Sequence, residues 1–298
     1  MAKVHGYCDS RFVGLKQYFQ KALDSGEELG ASLTINIDDK DVVDFCSGWR
    51  DRERTQPWQE DTIVIVFSTT KNISALAMLL CIERGLVSAH DKVSKYWPEF
   101  AVNGKDGIEI RHICHTHPDI CDVPYATTKL AEQAPFWEPG TASGYHVHTM
   151  GQLIGEVIRR VTGKSLRQFG AEELATPLSS DFFIVELGAS NGHGNAKSIA
   201  NIMKAISLGG KVAGKQLLSP KTLDLIFQEQ ASGIDLVLDT PQRFGIGFGI
   251  RGDRESIVVM DLDRRLTISY AMNKMDGLGM SNKAGRVYVK SVYDILTI

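Results

Sequence analysis

A run of strand-forming residues, 62–67, changes at Ser68 into a helical pattern that continues as far as Gly85. Lys71 follows Ser68 by three residues, so on a helix the two side chains share one face, with Cβ atoms about 5–6 Å apart. A buried lysine loses its charge through desolvation and can then accept a proton from a neighbouring hydroxyl. The N-terminus of a helix also favours negative charge at the serine oxygen. This stretch therefore allows a nucleophilic serine, Ser68, activated by the amine of Lys71.

The same stretch also allows a purely structural interpretation, in which Ser68 caps the helix and Lys71 is solvated one turn later. Two observations favour the catalytic interpretation. The chain contains no other Ser-x-x-Lys sequence, and this one falls where a strand changes into an apolar helix. The catalytic prediction then requires further groups, which other parts of the chain must supply.

The composition limits the class of protein. Of 298 residues, 43% are apolar and 23% are charged, which is typical of a globular chain and not of a disordered or fibrous one. The net charge of −3, without a long run of one sign, argues against nucleic acid as a partner. No apolar segment approaches 18 residues, and the N-terminus lacks the apolar core of a signal peptide. We therefore expect a soluble, cytoplasmic protein that does not bind membranes.

The cysteines and histidines give little support for a metal site. The five cysteines are scattered, and no Cys-x-x-Cys sequence occurs. Cys114, His115, His117 and Cys121 lie close together in the sequence, but their spacing fits no standard zinc template and Pro118 interrupts the segment. We therefore predict buried thiols and loop histidines here, with no metal and no cofactor.

The order of the predicted elements indicates the fold class. We expect strands at 30–37, 42–49, 62–67, 244–250, 256–260 and 266–272, and helices at 10–25, 71–84, 110–115, 149–162, 166–174, 196–208, 220–229 and 282–295. Strands at both ends and helices between them suggest an α+β fold, in which an antiparallel sheet built from both termini holds an inserted helical layer. We predict one domain, 1–298, with an α/β part at 1–66 and 240–298 and a helical part at 67–239. The active cleft is expected between the two parts.

Longer sequence phrases resemble a known enzyme family. Together with Ser68-Thr69-Thr70-Lys71 and Tyr145, the order of strands and helices is similar to that of the serine β-lactamase superfamily. More narrowly, the chain resembles the class C-like esterases and lovastatin-type acyltransferases. The resemblance extends from about residue 6 to residue 296, and its most specific phrases lie at 97–100, 137–146, 191–196, 259–261 and 272–275. It implies a β-lactamase/transpeptidase-like fold.

The resemblance also implies roles for three residues. Ser68 would be the nucleophile that forms an acyl-enzyme. Lys71 and Tyr145 would share the removal of the Ser68 proton, and Tyr145 would protonate the leaving group and activate the incoming water or alcohol. The implied substrates are small esters or acyl thioesters, with an alcohol as a further acceptor. The residues alone leave another interpretation of Tyr145, as an aromatic side chain packed under the following helix.

The chain departs from the family pattern in the segments that complete the site. Val147 stands where penicillin-directed members have asparagine, which favours ester or thioester substrates. The Lys-Thr-Gly box or its equivalents should lie on a strand just before Ser256, where the sequence at 250–255 is Ile-Arg-Gly-Asp-Arg-Glu. In the family, that strand normally supplies the second backbone N–H of the oxyanion hole, which binds the negatively charged carbonyl oxygen of the reacting substrate. In this chain, a backbone N–H near Arg251 or Gly252 is the candidate substitute for that donor.

Further departures motivate an alternative function. The family's His-Thr-Ser-Gly loop is His-Thr-His-Pro at 115–118, and the chain is shorter than the family after residue 123, near 184–186 and between 250 and 256. Since these loops normally line the pocket, the alternative is a catalytically impaired homologue that acts as a binding or scaffold protein. Three histidines near the site are interpreted as loop residues, because a Ser–Lys–Tyr site needs none: His146, His148 and His193.

Overall fold

The computed structural model describes residues 2–113, 123–250, 258–275 and 283–296. The strands are β1 His5–Cys8, β2 Gly30–Ile37, β3 Lys40–Gly48, β4 Val64–Ile65, β5 Phe183–Ile184, β6 Gly192–Gly194, β7 Lys211–Val212, β8 Lys215–Gln216, β9 Ala231–Ile234, β10 Pro241–Phe244, β11 Val258–Asp261 and β12 Leu266–Met272. The α-helices are α1 Val13–Ser25, α2 Thr69–Glu83, α3 Val123–Glu132, α4 Met150–Thr162, α5 Leu166–Gly170, α6 Ala196–Ser207, α7 Pro220–Phe227 and α8 Lys283–Leu296. Short 3-10 helices occur at Ser10–Phe12, Val93–Lys95 and Pro98–Ala101, and Ala171–Ala175 is a π-helical turn.

Five of the described strands form an antiparallel sheet in the order β1-β3-β2-β12-β11. The central pair joins the two ends of the chain, with Leu266 opposite Ile37 and Met272 opposite Ala31. This confirms the predicted α+β fold, with an antiparallel sheet assembled from both termini. Among the described residues, no helix is both long enough and apolar enough to cross a lipid bilayer.

The sheet separates two kinds of packing. On one face, α1 and α8 cover a core of large side chains, in which the rings of Phe19 and Phe45 are 5.2 Å apart at their centroids. On the other face the alternating positions carry small polar side chains, and α6 lies against them. Thr267 Oγ1 is 2.7 Å from Ser207 Oγ of α6. Because successive strand residues point to opposite faces, this alternation fixes which face each layer covers.

The helical layer is organised around α2. Residues 69–71 and 73–81 of this helix are buried, including Ile73, Met78 and Cys81. A helix that is apolar on all sides must be surrounded by other elements, and α2 lies in the larger hydrophobic core together with side chains of α4, α6 and α7. Its N-terminal end, with Ser68, is therefore held in a fixed position.

Several predicted boundaries were wrong. The strand expected at 62–67 is shortened to β4, and the helix expected at 166–174 divides into α5 and a π-helical turn. The strand predicted at 244–250 ends at its first residue, because β10 instead pairs with β9 in an exposed hairpin. An exposed hairpin has no buried face and so gives no alternating apolar pattern. The described part of the helix predicted at 110–115 forms a turn.

Candidate active site

The backbone at Ser68 makes a sharp turn out of β4 and into α2. Phe67 has a φ of 42°, in the left-handed region that a bulky side chain rarely adopts, whereas Ser68 is already helical at φ −65° and ψ −12°. Ser68 makes no side-chain capping hydrogen bond to the helix. The structure thus contradicts the capping interpretation of this serine.

The strained turn is fixed by Thr70. Its hydroxyl donates to the carbonyl oxygen of Phe67 and accepts from the backbone N–H of Gly192 at 2.8 Å. The Val66 N–H also donates to the Gly192 carbonyl oxygen, at 2.9 Å. A left-handed φ at such a residue costs on the order of 1–3 kcal/mol and persists only where the surroundings impose it. These bonds to β6 provide that constraint.

Lys71 lies in contact with Ser68, as the spacing predicted. Its Nζ is 3.3 Å from Ser68 Oγ and donates to two backbone carbonyl oxygens, of Val147 at 2.7 Å and of Ala189 at 2.8 Å. The side chain is only 6% exposed, and among the described residues no carboxylate pairs with it. Burial without a counter-charge lowers the pKa of Lys71 from 10.5 to about 7.

The uncharged form of Lys71 has a defined orientation. A neutral amine keeps two N–H donors and one lone pair, and the carbonyl oxygens of Val147 and Ala189 can only accept. When both N–H groups satisfy those carbonyls, the lone pair is left for the third neighbour, the Ser68 hydroxyl. The arrangement therefore allows Lys71 to accept the proton of Ser68.

Tyr145 also lies beside Lys71. The Lys71 Nζ is 5.0 Å from the centroid of the Tyr145 ring, within the range in which a cation and an aromatic face attract one another. Lys71 thus contacts both of the other residues predicted for the site, so the structure brings Ser68, Lys71 and Tyr145 to one place.

Asp235 is a residue of this region that the sequence did not reveal. It is fully buried, and its carboxylate accepts from the Tyr145 N–H at 2.9 Å and from the Ser143 hydroxyl at 2.9 Å. It also accepts from the backbone N–H groups of Val237 and Leu238, each at 3.0 Å. Burial alone would raise the pKa of Asp235, but these donors outweigh it and hold that pKa below its usual range. A buried carboxylate therefore fixes the backbone on which Tyr145 is carried.

No signal in the sequence points to Asp235. It lies in the turn between β9 and β10, 90 residues beyond Tyr145, in the hairpin that the sequence failed to predict. Its importance depends entirely on a tertiary contact.

The histidines of the region make local hydrogen bonds. His146 Nδ1 lies 2.8 Å from Thr149 Oγ1, and His148 Nδ1 lies 3.1 Å from Ser190 Oγ. His193 Nδ1 lies 2.9 Å from the Asn191 carbonyl oxygen. These partners are loop and helix-end groups, which fits the interpretation of these histidines as structural.

Some predicted residues lie outside the described ranges. Arg251 and Gly252, the candidate oxyanion residues, fall within 251–257, and the Cys/His cluster of residues 114–121 falls within 114–122. Both predictions remain as the sequence left them. In the described ranges, no group of three or more His, Cys, Asp or Glu side chains is placed to hold a metal ion.

Comparison with known proteins identifies the family. The sequence model of the Beta-lactamase family matches residues 15–291. The chain belongs to the beta-lactamase family. The structure of a family VIII carboxylesterase superimposes on this chain with a TM-score of 0.92 at 28% sequence identity, over 98% of this chain and 99% of the carboxylesterase. A penicillin-binding protein homologue from Caulobacter crescentus gives a TM-score of 0.91 at 26% identity, over 98% and 99% of the two chains.

Curated relatives in the family include esterases. The esterase/beta-lactamase LipL of Mycobacterium tuberculosis is 33% identical over 190 residues, which cover 60% of this chain and 44% of LipL. Esterase EstB of Burkholderia gladioli is 33% identical over 194 residues, covering 55% of this chain and 49% of EstB. The chain thus spans about half the length of these relatives.

Proposed function

We propose that the protein is a serine esterase that forms an acyl-enzyme on Ser68, with Lys71 and Tyr145 as its proton-transfer groups. The observation that carries the proposal is the environment of Lys71, whose buried amine has a pKa of about 7 and lies 3.3 Å from Ser68 Oγ. A general base works best when its pKa lies near the working pH. Similarity to a family VIII carboxylesterase and to LipL and EstB supports an ester as the substrate.

Acylation begins when neutral Lys71 accepts the hydroxyl proton of Ser68. The Ser68 oxygen attacks the ester carbonyl carbon, and negative charge develops on the carbonyl oxygen. Among the described residues, the N–H groups of 69–71 donate to the carbonyls of 66–68, whereas the Ser68 N–H has no acceptor. That N–H, at the N-terminus of α2, is the first oxyanion donor, and the backbone near Arg251 or Gly252 is proposed as the second.

Collapse of the tetrahedral intermediate breaks the bond to the leaving alcohol. Tyr145 gives its phenolic proton to the departing oxygen, and the positive charge on Lys71 makes that loss easier. Tyr145 then removes a proton from water, which attacks the acyl-Ser68 ester, and Lys71 returns its proton to the departing Ser68 oxygen. The products are one carboxylic acid and one alcohol per ester. A thioester can acylate Ser68 in the same way, and an alcohol in place of water would give acyl transfer.

Exposed apolar side chains beside residues of the proposed site support substrates with apolar groups. Phe67, which precedes Ser68, is 41% exposed, and Val147, whose carbonyl oxygen accepts from Lys71, is 43% exposed. Leu236 and Val237, beside Asp235, are also exposed. Val147 has an apolar side chain and so offers no amide to a β-lactam substituent. We therefore propose small apolar esters as substrates in preference to β-lactams.

Hydrolysis of p-nitrophenyl butanoate tests the proposal. The enzyme should turn over the ester with an initial burst and should be labelled once by a fluorophosphonate, as seen by intact mass. Ser68→Ala should abolish both signals, and Lys71→Ala and Tyr145→Phe should lower turnover by about 10²-fold or more. Ser88→Ala, in an exposed loop, is the matched control and should retain full activity.

The same experiment distinguishes the alternative of an impaired binding protein. Absence of turnover together with absence of labelling in the unaltered protein would support that alternative. Equal labelling of the Ser68→Ala variant would refute Ser68 as the nucleophile.

A further inference from the structure

A cavity of about 90 Å³ lies in the helical layer, between the 3-10 helix Pro98–Ala101, α3 and residues 133–143. Most of its wall is apolar and includes Phe100, Ile108, Leu130, Trp137 and Leu153. None of the residues proposed for ester hydrolysis is among its described lining residues. The cavity is therefore distinct from the Ser68 site.

One buried cation forms part of this wall. Lys105 is 4% exposed, and its Nζ donates to the carbonyl oxygens of Val102, at 3.0 Å, and Gln133. The amine also lies 5.3 Å from the centroid of the Phe100 ring. Two of its three N–H groups are thus used, and no carboxylate pairs with it in the described part of the chain. A buried ammonium without an anion is costly, and burial lowers the pKa of Lys105.

Two other polar side chains of the wall, Arg111 and His112, also carry hydrogen-bond donors. Arg111 donates from Nε to Glu109 at 2.6 Å and from Nη1 to Gln230 Oε1 at 2.8 Å. His112 accepts the Glu109 N–H at Nδ1, so the neutral ring carries its hydrogen on Nε2. The charged side chains that line the described cavity are Lys105 and Arg111, and both are cations.

We propose that this cavity binds a small aliphatic carboxylate of about four carbons in all, whose carboxylate group pairs with Lys105. The size follows from comparison with an engineered apolar cavity of about 150 Å³, which holds benzene. The carboxylate takes the remaining N–H of Lys105 and neutralises its charge. The alkyl chain lies against Phe100, Leu130 and Leu153 and removes their apolar surface from water.

The cavity shares a wall with the backbone that carries Tyr145. Ser143 lines the cavity and donates to Asp235 at 2.9 Å. The ring of Trp137 also lines it and lies so close to Gly144 that a Cβ there would be 2.5 Å from Trp137 Cη2. The carboxylate pocket is thus separate from Ser68 but adjoins the segment that holds Tyr145.

Isothermal titration with three four-carbon probes tests the proposal on protein whose Ser68 has been replaced by alanine. Butanoate should bind at one site per chain, butanamide at least about tenfold more weakly, and butylammonium without measurable heat, because only the carboxylate can pair its charge with Lys105 and butylammonium brings a second positive charge. Lys105→Met in the same background should weaken butanoate at least about tenfold. Lys129→Met, an exposed lysine on α3, is the matched control and should leave butanoate affinity unchanged.

Equal affinities for butanoate and butanamide would overturn the proposal, as would unchanged butanoate binding in Lys105→Met. Absence of saturable butanoate binding would also overturn it. The comparison of the three probes uses no variant of Lys105, so a missing preference for the carboxylate still refutes the proposal where Lys105→Met fails to fold. Because Ser68 is absent throughout, none of these outcomes depends on the proposed esterase activity.

Discussion

The pH dependence of Ser68 reactivity should report the titration of Lys71. Burial moves the pKa of this lysine from 10.5 to about 7, and a difference of roughly 3.5 units corresponds to about 5 kcal/mol. At pH 7 about half of the Lys71 amines are then uncharged, whereas an ordinary lysine would be uncharged in about 3 of 10⁴ molecules. The buried site therefore increases the fraction of active base roughly 10³-fold at pH 7.

The assay is the second-order rate of fluorophosphonate labelling of Ser68, followed by intact mass from about pH 5 to about pH 9.5. The rate should rise about tenfold per pH unit below the pKa of Lys71, bend near pH 7, and level off above it. Hydrolysis of the reagent itself is measured at each pH without protein and subtracted.

Two variants show whether Lys71 causes this profile. Lys71→Arg keeps a positive charge at all these pH values, so labelling should fall by about 10²-fold or more and the bend near pH 7 should disappear. Lys129→Arg changes an exposed lysine that pairs with Glu132 and should keep the original profile. A rate that is constant with pH, or that keeps rising toward pH 10, would refute Lys71 as the base that activates Ser68.

The structure supports three further predictions. Lys71→Met should be more stable than the parent protein below pH 7, and the difference should shrink between pH 7 and 10. The reason is that the unfolded parent binds one more proton than the folded parent over that interval, so the parent's free energy of unfolding rises with pH. Urea unfolding of both proteins at several pH values measures the difference in stability. A difference that stays constant with pH would contradict the prediction. Asp235→Asn should lower the free energy of unfolding by about 2–4 kcal/mol and reduce turnover, because the single oxygen of an amide cannot accept all four hydrogen bonds that the carboxylate accepts. The control is Asp239→Asn at an exposed position, which should change neither quantity. Thr70→Val should lower the free energy of unfolding by about 1–3 kcal/mol, since it leaves the buried N–H of Gly192 without its acceptor. A decrease smaller than the error of denaturant titration would show that the turn at residue 67 does not need this hydrogen bond.

Local features of the fold could be predicted because short sequence patterns determine them. Asn195 caps α6 by accepting the Ser198 N–H at 2.8 Å, and Ser219 caps α7, and both residue types are common at this position. Gly163 ends α4 with a left-handed φ of 74°, which is the usual role of glycine at that position. Each of these signals lies within a few residues of the element that it starts or ends.

The site was only partly predictable because its chemistry depends on distant residues. The spacing of Ser68 and Lys71 predicted their contact, but not the two carbonyl acceptors of the amine, which lie 76 and 118 residues from Lys71 in the chain. These acceptors are backbone groups, which every residue has, so the sequence gives no sign of them. The role of Asp235 was missed for the same reason, since its partners belong to another loop.

The most direct test of the proposed mechanism is mass spectrometry of the protein quenched during turnover of p-nitrophenyl butanoate, with digestion to locate the modified peptide. The account predicts one butanoyl group, attached to Ser68, that appears during the burst and disappears when the ester is exhausted. Ester hydrolysis that continues without any acylated Ser68, or a butanoyl group on a different residue, would contradict it.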